Sequence, residues 1–335
     1  MTTGHGPALI TGGAGQDGTL LLAQLVASGQ PCVATIAPGT PAESLTRSPL
    51  VTWVTVDLTD TEACAQLVAQ HRPSRIFHLA ALSSVGQSWS DPVETTRVNA
   101  LATVALLQSA ATYSAQADPI RVVVASSAEI FAGTDRVPQN EQTPLCPTNP
   151  YGATKVFTHT MTQALRASGL WASNAILYNH ESPLRPKAFV TRTISSGVAA
   201  IAAGVSDHLA LRSLGSRRDW GWAPDYVDAL VRIADHDRPD DFVIATGVSH
   251  SVGDFVAAAF EVIGITDPTP YLSVGDQMAR PTDAAELVGD ASKAERELRW
   301  TPTASFTDIV KAMVEHDIAE IRHKSTSHAD HEVTP

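Results

Sequence analysis

The stretch PALITGGAGQDGTLLLAQLVASG, beginning at Pro7, limits the fold more than any other part of the chain. An apolar run, Ala8-Leu9-Ile10, gives way to closely spaced glycines, and then Leu20, Leu21, Leu25 and Val26 recur at helical spacing. A short, continuous apolar run is the mark of a strand covered on both faces, as in a parallel sheet. The order strand, tight turn, helix therefore predicts a βα unit. The alternation then continues. CVATIA and VTWVTVDL read as strands, TEACAQLVAQH as an amphipathic helix and RIFHLAAL as a strand. PVETTRVNALATVALLQSAATY reads as one long helix, and IRVVVASSAEIF as a strand entering a loop. NPYGATKVFTHTMTQALRASG reads as a helix and SNAILYN as a strand. The fold class predicted is α/β, with a Rossmann-type doubly wound parallel sheet over residues 1–178.

After Asn179 the pattern loosens. FVTRTISSGVAAIAAG and VGDFVAAAFEVIG read as helices, and DFVIATG as a strand returning to the sheet. HLALRSLGSRRDWGWAPDYVDALVRIADH begins as a short strand and loop and turns helical from about Tyr226. Residues 179–323 are expected to form a smaller, interwoven ligand-binding region. Polarity predicts a disordered tail over 324–335.

Composition narrows the function. A length of 335 residues, with 44% hydrophobic and 17% charged, fits a soluble globular protein with a sizeable core. A net charge of −12 and the lack of a basic stripe argue against nucleic acid as a partner. No run of about 20 apolar residues predicts a membrane span. The apolar part of MTTGHGPALITGG is too short for a signal peptide. The cysteines, Cys32, Cys64 and Cys146, are odd in number and scattered. They predict neither a disulfide nor a metal site, and they fit a reducing cytoplasm.

Three features carry chemistry. Gly12, Gly15 and Gly18, with Gln16 and Asp17 between them, stand where a strand hands over to a helix. Glycine lets the backbone approach a pyrophosphate, whose charge suits the helix start, so the turn predicts dinucleotide binding. At the end of the second strand TIAPGT offers neither the acidic residue usual for NAD nor an arginine for NADP. Asp57 follows the third strand, where it either faces an adenine or starts the next helix. Secondly, Tyr151 and Lys155 in PYGATK share one face of a helix. The ammonium can lower the phenol's pKa, making the tyrosine a base for a hydroxyl proton. Thirdly, Ser126 and Ser127 end a strand at the sheet edge that binds ligands in open α/β folds, and Glu129 follows two residues on. Glu129 is either a second acid/base or a loop carboxylate paired with an arginine.

Taken in order, ALITGGAGQDG, VDLTD, ASSAE, PYGATK, YNHESP, FVTRTI, RRDWG, DYVDA, DFVIATG and RPTD cover the chain from Ala8 to about Ile321. The glycine turn and the Tyr-Lys pair resemble the extended short-chain dehydrogenase/reductase superfamily, and the whole series resembles the GDP-mannose 4,6-dehydratase family. That resemblance implies Ser127, Glu129, Tyr151 and Lys155 as catalytic residues. Tyr151 would take the sugar's 4-hydroxyl proton as hydride leaves C4, and Glu129 would take the C5 proton before water leaves from C6. It implies a cofactor site of Gly12, Gly15, Gln16, Asp17, Gly18, Asp57, Leu58, Leu79, Ala80, Ala81, Tyr151, Lys155, His180 and Arg185. It implies a nucleotide-sugar site of Ser83, Asn179, Val190, Arg192, Arg218, Arg280 and Asp283. The implied cofactor is NADP. Ala37 and Pro38 stand where the family carries paired arginines for the 2′-phosphate, which keeps NAD open. The implied partners are a GDP-hexose and a second copy of the chain, packed through the helices from Pro92 and Tyr151, with a tetramer left open. The alternatives are a nucleotide-sugar epimerase or a dehydratase of another hexose. A silent dinucleotide-binding scaffold would need none of the four catalytic groups together.

Overall fold

The computed structural model describes residues 6–41, 45–275 and 286–331. The chain runs β1 (Ala8–Thr11), α1 (Gln16–Ala27), β2 (Cys32–Ile36), β3 (Val51–Thr55), α2 (Thr61–His71) and β4 (Arg75–His78). Next come α3 (Val85–Ser90), α4 (Pro92–Thr96), α5 (Ala102–Gln116), β5 (Arg121–Ser127), α6 (Pro150–Ala167) and β6 (Ala172–Leu177). Then follow β7 (Asn179–Glu181), α7 (Val190–Ala202), β8 (Leu209–Leu211), β9 (Arg217–Trp222), α8 (Ala223–Asp235) and β10 (Asp241–Ile244). The chain closes with β11 (Ser249–Ser251), α9 (Val252–Val262), β12 (Leu272–Val274), β13 (Glu286–Leu287) and α10 (Phe306–His331).

The central sheet has seven strands in the order β10-β6-β5-β4-β1-β2-β3, all parallel. Sheet order reverses between β1 and β4, which makes the switch point where open α/β sheets bind ligands. The apolar runs that predicted strands are those the sheet buries: Ala8, Leu9 and Ile10 are fully covered, as are Ile76 and Phe77. One core forms where Ile10, Phe77 and Val123 meet Leu21, Leu22, Leu230 and Ile233 from α1 and α8. A second forms on the other face, where Leu9, Ile76 and Val122 meet Leu67, Leu106 and Leu107 from α2 and α5.

The expected long helix from Pro92 is interrupted. A π-turn over Arg97–Leu101 separates α4 from α5, and the separate helix α3 precedes them. The turn carries Asn99, which is buried and holds both backbone groups of Leu82. The chain leaving β4 is thereby fastened to the helix layer, a long-range bond that apolar spacing does not reveal.

The later residues build a second, smaller sheet in which β9 pairs with β11, β13 and β7. Expectation and structure differ here. RRDWGW, read as loop, is the central strand of this sheet. Short strands carrying arginines and tryptophans lack the alternation that marks a half-buried strand, and tertiary pairing decides their state. The helix after it starts at Ala223 rather than near Tyr226, because Pro224 suits a first helical turn. Backbone helix also continues to His331, beyond the point where polarity predicted a disordered tail. Ile309, Val310, Met313 and Val314 anchor α10 in a third core, and extension from a formed helix needs no new nucleus. Among the described residues no helix is long and apolar enough to cross a membrane, and no cluster of His, Cys, Asp or Glu could hold a metal ion.

Candidate active site

The glycine turn joins β1 to α1 at the switch point. Gly12 sits at φ +70°, where an L side chain is strained, and a Cβ there would lie 2.9 Å from the amide nitrogen of Ala80. A Cβ on Gly18 would lie 2.3 Å from the Gly12 carbonyl oxygen. These two glycines let turn, helix and β4 close on one another. No side chain caps the start of α1, so backbone N–H groups and the positive helix end supply its donors. Beneath the turn lie groups that the sequence did not single out. The Thr11 hydroxyl accepts from the N–H groups of Leu79 and Ala80 at 3.1 and 3.2 Å and bonds His78 Nδ1 at 2.8 Å. Burial, assisted by the Lys155 charge, pushes the His78 imidazole down to about 3, so it works as a neutral strut.

The segment YNHESP leaves β6 beside Ser127, which pairs with Leu177, and then enters the second sheet as β7. There Asn179, His180 and Glu181 pair with Trp220, Gly221 and Trp222. The NHESP and RDWG motifs are therefore one ladder. His180 Nε2 lies 3.0 Å from the Asp17 carboxylate, and its ring stacks on Tyr226 with centroids 4.6 Å apart. Burial, the largest single influence, would lower the His180 pKa, but the Asp17 charge and hydrogen bond, with the bond to the Tyr178 carbonyl, together outweigh it and the value is raised. Burial, again the largest single influence, would raise that of Asp17, but the His180 charge and hydrogen bond, with Gln16 and Arg185, together bring it below the usual carboxylate range. Gln16 closes the join, donating to the His180 carbonyl at 3.1 Å and accepting from Ser182 Oγ at 2.8 Å. Arg185 lies over Phe189 at 3.8 Å and reaches Glu181 at 3.3 Å. The start of α1 and the YNHESP segment thus form one charged seam.

Ser127, Glu129, Tyr151 and Lys155 meet at the C-terminal ends of β5 and β6. Ser127 hydrogen-bonds Tyr151 and also accepts from the N–H of Glu129 at 3.2 Å. Lys155 Nζ donates to the Ala125 carbonyl at 2.7 Å and lies 5.7 Å from the Tyr151 ring centroid. The expected lowering of the phenol's pKa is not what the structure gives. Burial pushes the phenol up to about 12, the Glu129 and Asp17 charges add to that, and Ser127 and Arg185 oppose it. Lys155 is itself lowered to about 8 by burial, with Asp17 pulling the other way. The spacing placed the pair on one face correctly; burial, which spacing does not report, dominates the electrostatics.

Asn149 escaped notice in the sequence. Its side-chain Nδ2 donates to Glu129 Oε2 at 2.7 Å, while its Oδ1 accepts from Gly152 N–H and caps α6. An Asn directly before Pro at a helix start was the available signal.

The remaining expected residues divide. Asp57 follows β3 by two residues and accepts from Thr59 and Arg97, whereas the cap of α2 is Asp60. Leu58 is buried beside Asp57, and Leu79, Ala80 and Ala81 follow β4 at the switch point. Ser83 is exposed in the same loop, and Val190 is exposed at the first turn of α7. Arg218 lies on β9, half-buried, with its guanidinium donating to the Arg217 carbonyl at 2.7 Å. Arg192 departs from expectation. It is 4% exposed, and its guanidinium is held by Asp317 of α10 at 2.6 Å. Removing one partner from such a buried pair costs about 3–5 kcal/mol, so Arg192 joins α7 to α10 rather than standing ready for a ligand. Arg280 and Asp283 lie outside the described residues.

Residues 9–313 match the family model described as GDP-mannose 4,6 dehydratase. The chain is 34% identical over 335 residues to a GDP-mannose 4,6-dehydratase of Sordaria araneosa, covering 94% of this chain but only 61% of that protein's length. It is 37% identical over 283 residues to the GDP-mannose 4,6 dehydratase of Drosophila melanogaster, covering 79% of this chain and 71% of that one. Among solved structures, the UDP-glucose 4-epimerase of Thermus thermophilus, in complex with NAD, aligns with a TM-score of 0.79 at 24% identity. The alignment covers 93% of this chain and 98% of that one.

Proposed function

This chain belongs to the GDP-mannose 4,6-dehydratase family, and we propose that it converts GDP-mannose to GDP-4-keto-6-deoxy-mannose. The observation that carries the reading is the meeting of two acid/base groups, Tyr151 and Glu129, around Ser127. An epimerase needs one base for a hydride shuttle, whereas elimination of water needs a second for a carbon-bound proton.

Tyr151 takes the 4-hydroxyl proton, and Ser127 supports the charge developing on that oxygen. A bound nicotinamide would supply the hydride chemistry, taking hydride from C4 and giving it back at C6. Glu129 takes the C5 proton, made acidic by the C4 ketone, and passes it to the departing C6 hydroxyl, which leaves as water. A proton then returns to C5, offsetting the one that Tyr151 took from the 4-hydroxyl. The groups present suit the dinucleotide: Gly12 and Gly18 leave room at a helix start that offers N–H donors to a pyrophosphate. Gln16, Asp17, His180 and Arg185 would hold it from one side, and Asp57, Leu58 and Leu79 to Ala81 from the other. Ser83 and Asn179, which follow β4 and β6, are assigned with Val190 and Arg218 to the nucleotide sugar, as the family resemblance implies. Incubation with GDP-mannose and no added reductant should yield a product lighter by one water in mass spectrometry. No loss of water from several GDP- and UDP-hexoses overturns the reading.

The cofactor proposed is NADP, as the family resemblance implies. Ala37 and Pro38 are exposed at the end of β2 and bring no charge to a 2′-phosphate. A charge-assisted hydrogen bond contributes about 1.5–3 kcal/mol, so a missing arginine pair removes a large preference. Calorimetric titration is expected to give NADP and NAD dissociation constants within about tenfold of each other. A preference well above that for NADP would mean that a different cation reads the phosphate.

The assembly proposed is a homodimer. Val93, Leu101 and Phe157 are 78%, 44% and 48% exposed, and with Pro92, Ala100 and Val104 they line an apolar groove of about 730 Å³ on α4, α5 and α6. Large exposed apolar patches mark interaction surfaces, and a second copy would pair this face with itself.

A further inference from the structure

Asn149 connects the two halves of the proposed catalytic apparatus. It is 7% exposed and makes two side-chain hydrogen bonds. Its Oδ1 accepts from Gly152 N–H at 2.8 Å, which caps the helix bearing Tyr151 and Lys155. Its Nδ2 donates to Glu129 Oε2 at 2.7 Å, with Glu129 twenty residues earlier in the chain. The surroundings hold this bridge rigid. The Cys146 N–H donates to the Ile130 carbonyl at 2.8 Å, and Gly133 N–H to the Cys146 carbonyl at 2.7 Å. A Cβ on Gly152 would lie 2.8 Å from the Glu129 carbonyl oxygen, so the start of α6 rests directly on the turn that carries Glu129.

We propose that Asn149 is a positioning residue for Glu129: it fixes one carboxylate oxygen and leaves the other, Oε1, to meet the C5 proton. The inference rests on the dehydratase reading. In the step concerned, the C5–H bond breaks, its electron pair forms the C5=C6 bond, and the C6–O bond breaks. Glu129 Oε1 gains the proton and yields it to the leaving oxygen, so the carboxylate is restored and water departs. C4 oxidation precedes this and uses Tyr151, not Glu129. Loss of the Asn149 donor should therefore slow elimination and spare oxidation.

A purely structural role would be the helix cap alone, and aspartate caps as well as asparagine. Asn149→Asp separates the two roles, because it keeps the cap but sets a second carboxylate against Glu129. Its dehydration kcat is expected to fall about 10- to 100-fold with little change in KM, matching one lost charge-assisted hydrogen bond. Reduced nicotinamide, followed by its near-ultraviolet absorbance, should build up when the variant meets substrate. Asn149→Ser retains a cap acceptor but cannot reach Glu129; it should show the same pattern and serves if Asn149→Asp does not fold. Wild-type dehydration rates in a folded variant lacking the amide overturn the inference. If the unaltered protein does not dehydrate GDP-mannose, the functional reading fails first, and the two failures are distinguished.

Discussion

Glu129→Gln is expected to lower dehydration about 10²- to 10⁴-fold, the usual range for loss of a positioned acid/base. Cofactor reduction in the first half-turnover should stay within about threefold of the unaltered rate. Glutamine has nearly the same shape, and its Oε1 can still accept from Asn149 Nδ2, so the turn after β5 has no reason to move. What the amide cannot do is take a proton from carbon. The variant should therefore oxidise C4 and stop, holding reduced nicotinamide beside a ketone. Rapid-mixing absorbance would report the oxidation, and mass spectrometry of the released sugar nucleotide would report the missing loss of water. Normal dehydration by this variant would mean that another group takes the C5 proton.

The parts of the fold that could be read from sequence are those decided by local pattern. Ala8 to Ile10 and Val122 to Val124 are buried on both sides, so their strands appear as unbroken apolar blocks. Gly12 and Gly18 show themselves because only glycine fits where they stand. Tyr151 and Lys155 lie one helical turn apart, a spacing that local geometry fixes. What remained hidden depends on residues far apart in the chain. The small sheet around β9 joins Asn179–Glu181, Ser249–Ser251 and Glu286–Leu287 to one strand, and none of these segments is long enough to show its own period. Arg192 was assigned to the nucleotide-sugar site by the family resemblance alone, but its guanidinium is held by Asp317 on a helix near the end of the chain. The seam between Asp17 and His180 has the same character. Each residue was legible as part of a motif, and only the fold turns two motifs into one ion pair.

Tyr151→Phe should stop the reaction one step sooner than Glu129→Gln. Loss of the phenolic oxygen removes the acceptor for the 4-hydroxyl proton, with an expected fall of about 10²- to 10⁴-fold in the formation of reduced nicotinamide as well as of product. The two variants together place each residue on its own step, since one accumulates reduced cofactor and the other does not. The pH profile follows from the same surroundings. At about 12 the phenol is protonated in the neutral range, and it becomes a base only as the phenolate is stabilised. Ser127 and Arg185 favour the phenolate, and the Lys155 ammonium beside the ring adds a cation. Burial puts the Lys155 pKa at about 8, below its ordinary value, so that the ammonium is present below this pH and is lost as pH rises through it. The rate of C4 oxidation should therefore decline above about pH 8, whereas Lys155→Met should be slower at neutral pH and lack that alkaline fall. A decline of equal steepness in Lys155→Met would assign the alkaline limb to a different group and leave Lys155 with its other observed task, the hydrogen bond to the Ala125 carbonyl that holds α6 against β5.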